Sequence, residues 1–325
     1  MIGALYGTEG IAHAVELIDY VRFVPSAGTA HVEWFHFVVR AGELDCVINL
    51  SLVGDGKGQL VLLVYEGGRW EGDVERFSQV SARSGRIGLQ LGDNELSFDG
   101  AFRLRAACRH RPLSVELALE PRAFACLAHN MGGGLHWVVA PRLSASGILW
   151  TGGRAVKLRD APAYHDHNWG QLDGRALGWT WACSLAPGPF AAVLVRIAGG
   201  AQALMLWQGP HRCRSFRGDA LSLTSEGLLR PVQTLRVPRA LSLLDPGLAS
   251  DVPAVLRIEA ASEDSRLSGE LSCLDVARVL VPRPGDLGHH VINEVPARLR
   301  LVGHLGGSAV AIDGPAFAEL ARSAS

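Results

Sequence analysis

Turn-forming residues interrupt this chain at intervals of about eight to twelve residues, too close together for long helices. Glycine occurs 38 times and proline 16 times in 325 residues. Between them lie short runs rich in Val, Leu, Trp and Phe, at 32–40, 46–53, 59–65, 102–107, 113–119 and 135–140. The second half repeats the habit at 179–185, 190–197, 201–207, 254–259, 268–274 and 297–305. Strands of this length and spacing predict an all-β chain, built as an antiparallel sandwich or barrel. One segment carries helical marks. At 313–321, Asp313 is placed to cap, Pro315 sits early, and Phe317 and Leu320 share a face, which predicts a short C-terminal helix.

Composition narrows the classes of function. Hydrophobic residues make up 48% of the chain and charged residues 19%, enough apolar material for a large core and too little charge for a disordered segment. The 31 basic and 32 acidic side chains leave a formal charge of -1. Lys57 and Lys157 are the only lysines, and no basic cluster offers a face to phosphates, so a nucleic-acid partner is not expected. The six cysteines form no CxxC pair, which reads as reduced thiols in a cytoplasmic protein. Residues 1–20 lack a cationic lead and carry Glu9, Glu16 and Asp19, unlike a signal peptide. The most apolar stretch, 190–207, is broken by Arg196 and Gly199-Gly200, and reads as two strands and a turn rather than a transmembrane segment. Transient contact with a membrane surface stays open, as does the oligomeric state.

An internal echo bears on domain organisation. A shift of 145 residues sets 34–52 on 179–197 without a gap, with Trp34 on Trp179 and Ala41 on Ala186. Two related barrel-like halves joined near 152–162 would explain it, giving an N-terminal domain at 1–155 and a C-terminal one at 156–325. One long sheet is the alternative, with the echo a chance similarity between hairpins.

The densest chemistry lies at Tyr164-His165-Asp166-His167-Asn168-Trp169-Gly170. In an extended strand Tyr164, Asp166 and Asn168 point one way, and His165, His167 and Trp169 the other. Buried, such a constellation needs partners, because an unpaired polar group is costly away from water. A second cluster, Glu33-Trp34-Phe35-His36-Phe37, again sets a carboxylate and an imidazole among aromatics, and His289-His290 with Glu294 forms a third. His165 and His167 also have the His-x-His spacing of a metal site, but the next acid, Asp173, sits in an expected turn, so no metal is predicted. No GxSxG elbow is present, and Gly132-Gly133-Gly134 leads into a strand rather than a helix, which argues against acyl-enzyme chemistry and nucleotide cofactors.

The run at 164–170, followed by Trp179-Thr180-Trp181, resembles the carotenoid 1,2-hydratase (hydroxyneurosporene synthase) family. His136-Trp137-Val138, Ala140-Pro141-Arg142, Ser146-Gly147 and Gly152-Gly153-Arg154 fall in the order that family shows before its motif. Glu33-Trp34-Phe35 is similar to the Glu-Trp-Trp-Tyr element of the wider lipocalin-like hydratase and cyclase superfamily. The resemblance runs from about residue 30 onward and is strongest over 135–185. It implies two calycin-like β-barrels with an active site at their junction and no cofactor, the C-terminal half carrying the motif. It further implies an enzyme, a hydratase of the carbon–oxygen lyase type or an intramolecular cyclase, in which Asp166 protonates an alkene. Phe35 and His36 stand where the family shows other aromatics.

That chemistry asks for an acid kept from water and a wall able to face a cation. His165 and His167 would complete the catalytic set with Asp166, holding neighbouring strands or bonding groups that orient the motif. Tyr164, Asn168, Trp169, Trp179, Trp181, Trp34, Trp137 and Glu33 would line the substrate site, where indoles attract a carbocation by about 2 kcal/mol each at best. The expected substrate is a hydrophobic small molecule, an isoprenoid or polyene. Two other functions compete: a pericyclase of natural-product biosynthesis that folds a polyene into a reactive conformer, and a non-catalytic carrier of lipophilic ligands.

Overall fold

The structure, a computed structural model, describes residues 21, 31–53, 56–83, 86–128, 135–171, 178–198, 201–210, 212–231, 234–244, 252–282 and 289–324. Its Cα packing divides the chain into two units, Met1–Gly174 and Arg175–Ser325. Each is a nearly closed antiparallel barrel, and the described residues contain no α-helix and no helix long and apolar enough to cross a membrane.

The first unit is built from β1 (His31–Ala41), β2 (Leu44–Val53), β3 (Lys57–Glu66), β4 (Arg69–Phe77), β5 (Val80–Ala82), β6 (Gly88–Leu91), β7 (Asn94–Phe98), β8 (Phe102–Ala107), β9 (Ser114–Pro121), β10 (Cys126–Ala128), β11 (Leu135–Thr151) and β12 (Arg154–Gln171). The sheet order is β4-β3-β2-β1-β12-β11-β9-β8-β7-β6-β5, with β10 on β11. The second unit holds β13 (Trp179–Ser184), β14 (Phe190–Ile197), β15 (Gln202–Gln208), β16 (Arg212–Arg217), β17 (Leu221–Glu226), β18 (Leu235–Val237), β19 (Val255–Ser262), β20 (Ser265–Cys273), β21 (Ala277–Pro282), β22 (His289–Leu305) and β23 (Ser308–Ala324). Its order is β16-β15-β14-β13-β23-β22-β20-β19-β17, with β21 on β22 and β18 parallel to β21.

The two orders follow one plan. In each unit the opening strand pairs with its own three-strand meander on one side and with the closing strand of the unit on the other. The two hairpins aligned by the shift of 145 residues, β1–β2 and β13–β14, occupy equivalent places in that plan. The stretch 190–207 is a pair of strands, β14 and β15.

Alternation decides which side chains fill each barrel. In the first, Phe35, Phe37 and Val39 of β1, Ile48, Leu50 and Leu52 of β2, and Leu60, Leu62 and Val64 of β3 point into one core. Phe37 meets Phe102 of β8 edge-on at 5.3 Å. The second core takes Ala182 from β13, Leu204 and Leu206 from β15, and Val295, Ala297 and Leu299 from β22.

Two expectations are corrected. The segment 313–321 is part of β23, not a helix. Val310, Ile312, Ala316 and Ala318 recur every second residue toward the core, and the strand is paired on both sides, with β22 and β13. Pro315 costs no ladder bond to β22: its carbonyl accepts from Leu185 N–H at 2.8 Å, so its missing N–H lies on that side, past the end of β13. The boundary placed at 155/156 falls inside the first unit. Thr151 pairs with Arg154 around Gly152 and Gly153, whose φ values of 56° and 76° suit a tight two-residue turn. The strand that follows, β12, closes the first sheet against β1, so the motif belongs to the first unit rather than to the C-terminal half.

Candidate functional site

β12 is the centre of the first sheet's chemistry, paired with β1 on one side and β11 on the other. Directly opposite residues share a face, so register assigns each side chain its surroundings. Asp166 lies opposite His36 on β1 and Val139 on β11. Asn168 lies opposite Trp34 and Trp137, and Tyr164 opposite Val38. These side chains occupy the face away from the barrel core, as the core membership of the alternate residues Phe35, Phe37 and Val138 requires.

Asp166 is buried and held at both oxygens. The Tyr164 hydroxyl donates to Oδ2 at 2.9 Å, and the Asn168 amide donates to Oδ1 at 2.6 Å. The donors at i-2 and i+2 reach it because an extended strand carries every second side chain on one face. His36 is buried as well, and its Nδ1 lies 3.4 Å from the Asn49 amide nitrogen, an N–H donor. Burial pulls the His36 imidazole down to about 3, so the ring is neutral at physiological pH.

The remaining motif residues face the core. The His165 Nδ1–H donates to the main-chain oxygen of His36 at 2.9 Å, and the ring stacks on Phe37 at 4.2 Å. Burial, then the neighbouring His167, press His165 well below the usual imidazole range, with the bond to the His36 carbonyl opposing. His167 Nε2 meets Glu33 Oε1 at 2.6 Å with both side chains fully buried, and its ring stacks on Phe35 at 4.2 Å. Trp169 packs against the same core and stacks on His136 at 5.4 Å. The structure therefore brings Asp166, Tyr164, Asn168, Trp34 and Trp137 to one face. It places His165, His167, Glu33 and Trp169 on the other. The third residue weighed for a His-x-His metal centre, Asp173, lies outside the described residues, as do Gly132-Gly133-Gly134 and residues 1–20.

In the second unit Trp179 and Trp181 share a face of β13. Glu319 of β23 lies opposite Trp181, and Glu294 of β22 lies opposite Glu319. The Trp179 indole N–H donates to Glu319 Oε1. Of the third sequence cluster, Glu294 and His290 share this face, whereas His289 alternates to the other. Glu319 escaped the sequence reading because it falls in the segment read as a helix; the every-second-residue apolar pattern over 308–324 is the signal that could have found it.

In the second unit a cavity lined by Ala182, Cys183, Ala192, Leu194, Leu204, Ile258, Leu271 and Leu299 measures about 10 Å³, room for one water. In the first unit a cavity of about 480 Å³ opens among residues including Phe77, Asn94, Cys108 and Arg109.

No family model and no curated protein matches the chain. Solved structures do. The AttH protein of Nitrosomonas europaea superimposes with a TM-score of 0.64 at 15% identity, covering 89% of this chain and 92% of that one. Kievitone hydratase from Nectria haematococca gives 0.61 at 10% identity, covering 98% and 95%. CghA, solved with Sch210972, gives 0.58 at 13%, covering 93% and 94%. At such identities the likeness is one of fold, and it extends over both units: the chain has the two-barrel, lipocalin-like architecture of these neighbours.

Proposed function

We propose that the protein is a cofactor-independent hydratase or cyclase of an apolar, unsaturated small molecule, with Asp166 as its acid–base residue. One observation carries the reading: a buried carboxyl held at both oxygens by Tyr164 and Asn168, on a strand face shared with Trp34 and Trp137. A carboxyl so positioned gives its proton to an alkene carbon without reorganising, since its two hydrogen bonds set its orientation beforehand. The carbocation is then captured by water or by an internal double bond, and the proton lost in the last step returns to the carboxylate. No electron acceptor or nucleotide enters that balance. Trp34 and Trp137, on the same strand face, are the indoles placed to stabilise the cation, each by about 2 kcal/mol at best when desolvated. The name of one fold neighbour, kievitone hydratase, is consistent with this chemistry.

A pericyclase is the second reading. The Asn168 amide, fixed on Asp166 Oδ1 by one N–H, has a second N–H to give, as a site that only folds a polyene and polarises a carbonyl would need. A lipophilic carrier is the third reading, and it has no need of a carboxyl held at both oxygens by Tyr164 and Asn168.

Turnover in deuterated water separates the readings. A panel of isoprenoid and polyene probes, farnesol and geranylgeraniol among them, is incubated with wild type and Asp166→Asn, and products are analysed for carbon-bound deuterium. Hydration or acid-started cyclisation incorporates deuterium and is abolished in the variant. Product without deuterium moves the assignment to pericyclic closure, and full activity of Asp166→Asn removes that residue from the mechanism.

A further inference from the structure

One end of the first barrel carries a cavity that the motif at 164–170 does not account for. It measures about 480 Å³, within the range that takes a small organic molecule. Its lining comes from the end of β4, the turn between β6 and β7, and the connection from β8 to β9. Phe77, Asn94 and Cys108 are buried parts of the wall, and Arg76, Asp93 and Arg109 bring charge to it.

Buried polar groups hold this wall in place. The Asn94 amide donates to the Leu91 main-chain oxygen at 2.9 Å, and its Oδ1 accepts from the Ala107 N–H at 2.8 Å, which ties the β6–β7 turn to the end of β8. The buried Glu75 carboxylate accepts from the Arg109 main-chain N–H and, at 2.7 Å, from its Nε. Arg109 Nη2 donates to the Arg76 main-chain oxygen at 3.1 Å, and the guanidinium lies over the Phe77 ring, 4.9 Å from its centroid. Arg109 is thus oriented before any ligand arrives, and the entropy of ordering it is not lost again on binding.

The lining also selects a class of ligand. None of the Arg109 hydrogen bonds uses Nη1, so both of its N–H groups stay available, and the side chain is 56% exposed. Among the described residues the Arg76 guanidinium has no ion-pair partner, so its charge is uncompensated. A guanidinium offers N–H groups in a fixed fork that fits a carboxylate. Asp93 is the acid on the lining, and its charge acts against a doubly charged head group such as a phosphate monoester. The Cys108 thiol is pushed up to about 12, chiefly by burial, so it stays protonated and serves with Phe77 as apolar wall rather than as a nucleophile.

We propose that this cavity is a second ligand site of the first unit and takes a monocarboxylate with an apolar body. Arg109 Nη1 and the Arg76 guanidinium hold the carboxylate, and the apolar body lies against Phe77 and Cys108. The site uses none of the residues at 164–170 and does not rest on the reading of Asp166 as an acid.

The probe is 4-benzoylbenzoate. On irradiation its ketone takes a hydrogen atom from a neighbouring C–H, and the two radicals join in a C–C bond, leaving a tertiary alcohol. The full chain is titrated with the probe by calorimetry and then irradiated, and peptide mapping by mass spectrometry reads the linked residues. The expected result is a single saturable site with cross-links confined to residues near 76–79, 92–94 and 107–109. The neutral amide, 4-benzoylbenzamide, binds about tenfold more weakly, the scale of one charge-assisted hydrogen bond, and Arg109→Gln weakens the acid by a similar factor. Arg109→Gln also leaves the buried Glu75 without its cation, so Ala107→Trp supplies a second variant: Ala107 is exposed, its main-chain bond to Asn94 is kept, and an indole there fills the cavity and abolishes binding. Trp34→Phe, on the other face of the chemistry, leaves binding unchanged. No saturable binding, equal affinity for acid and amide, cross-links centred on 164–170, or full binding by Ala107→Trp overturns the proposal. Failure of the Asp166 experiment leaves these measurements untouched, so the two readings fail separately.

Discussion

The ring of His165 donates from Nδ1 to the main-chain oxygen of His36 at 2.9 Å, so a histidine in the barrel core anchors β1 at the residue facing Asp166 across the ladder. The contact joins residues 129 positions apart in the chain. It links the two faces of the sheet: what is packed inside bears on what is presented outside.

Acid should unfold the protein through these neutral histidines. His36 is lowered to about 3 and His165 also lies below its ordinary value, so the unfolded chain binds more protons than the folded one as pH falls below about 6.5. Stability is therefore full above that pH and declines toward the folded values, by about 1.4 kcal/mol per pH unit for each group. Urea midpoints measured from pH 7.5 to 4.5 should show a shallower decline in His36→Phe than in wild type. Equal slopes would mean that His36 is not buried neutral.

Breaking the Glu33–His167 pair from one side should be costly. Both side chains are fully buried, and truncating Glu33 takes the partner from Nε2 of the buried His167 imidazole. Glu33→Ala should lose about 3–5 kcal/mol, read as a fall in the denaturation midpoint. Glu33→Gln keeps an acceptor for the imidazole N–H and should lose less than half of that.

Tyr164→Phe isolates the site face. It removes the donor to Asp166 Oδ2 while keeping the ring at a fully buried position. A hydrogen bond to a neutral carboxyl contributes about 0.5–1.5 kcal/mol, so turnover in the deuterium assay should drop about two- to tenfold with an unchanged circular-dichroism spectrum. Unaltered turnover would leave the hydroxyl with a packing role alone.

Gly147 is a backbone requirement. Its φ is +143° at an irregularity in the β11–β12 ladder, and an added Cβ would stand 2.1 Å from the Glu116 carbonyl oxygen. Gly147→Ala should cost about 1–3 kcal/mol, visible as a lower melting temperature. A neutral result would show that β9 yields at Glu116.

Much of the architecture was legible in the order of residues. Punctuation by Gly and Pro, and apolar runs such as 32–40 and 190–197, marked strands because turn chemistry and two-residue alternation act locally. The same alternation separated Tyr164, Asp166 and Asn168 from His165 and His167, as found. Local signals misled at 313–321, where Asp313 and Pro315 mimic a helix start. There the pairing of β23 with strands on both sides outweighs the propensity of a few residues, because a strand inside a barrel satisfies its backbone groups through partners distant in sequence.

Which face looks inward was a matter for the tertiary structure. A sequence determines that Glu33 and His167 each lie on one side of a strand, but not that both turn into the core and meet at 2.6 Å. Nor does it say that Glu294 and Glu319, 25 residues apart, stand opposite each other, since that depends on the register of β22 against β23. Register is set by the fit of whole sheet faces into a closed barrel, a property summed over many strands. The 164–170 motif could announce chemistry from its own residues; the partners that give each group its charge state come from elsewhere in the chain.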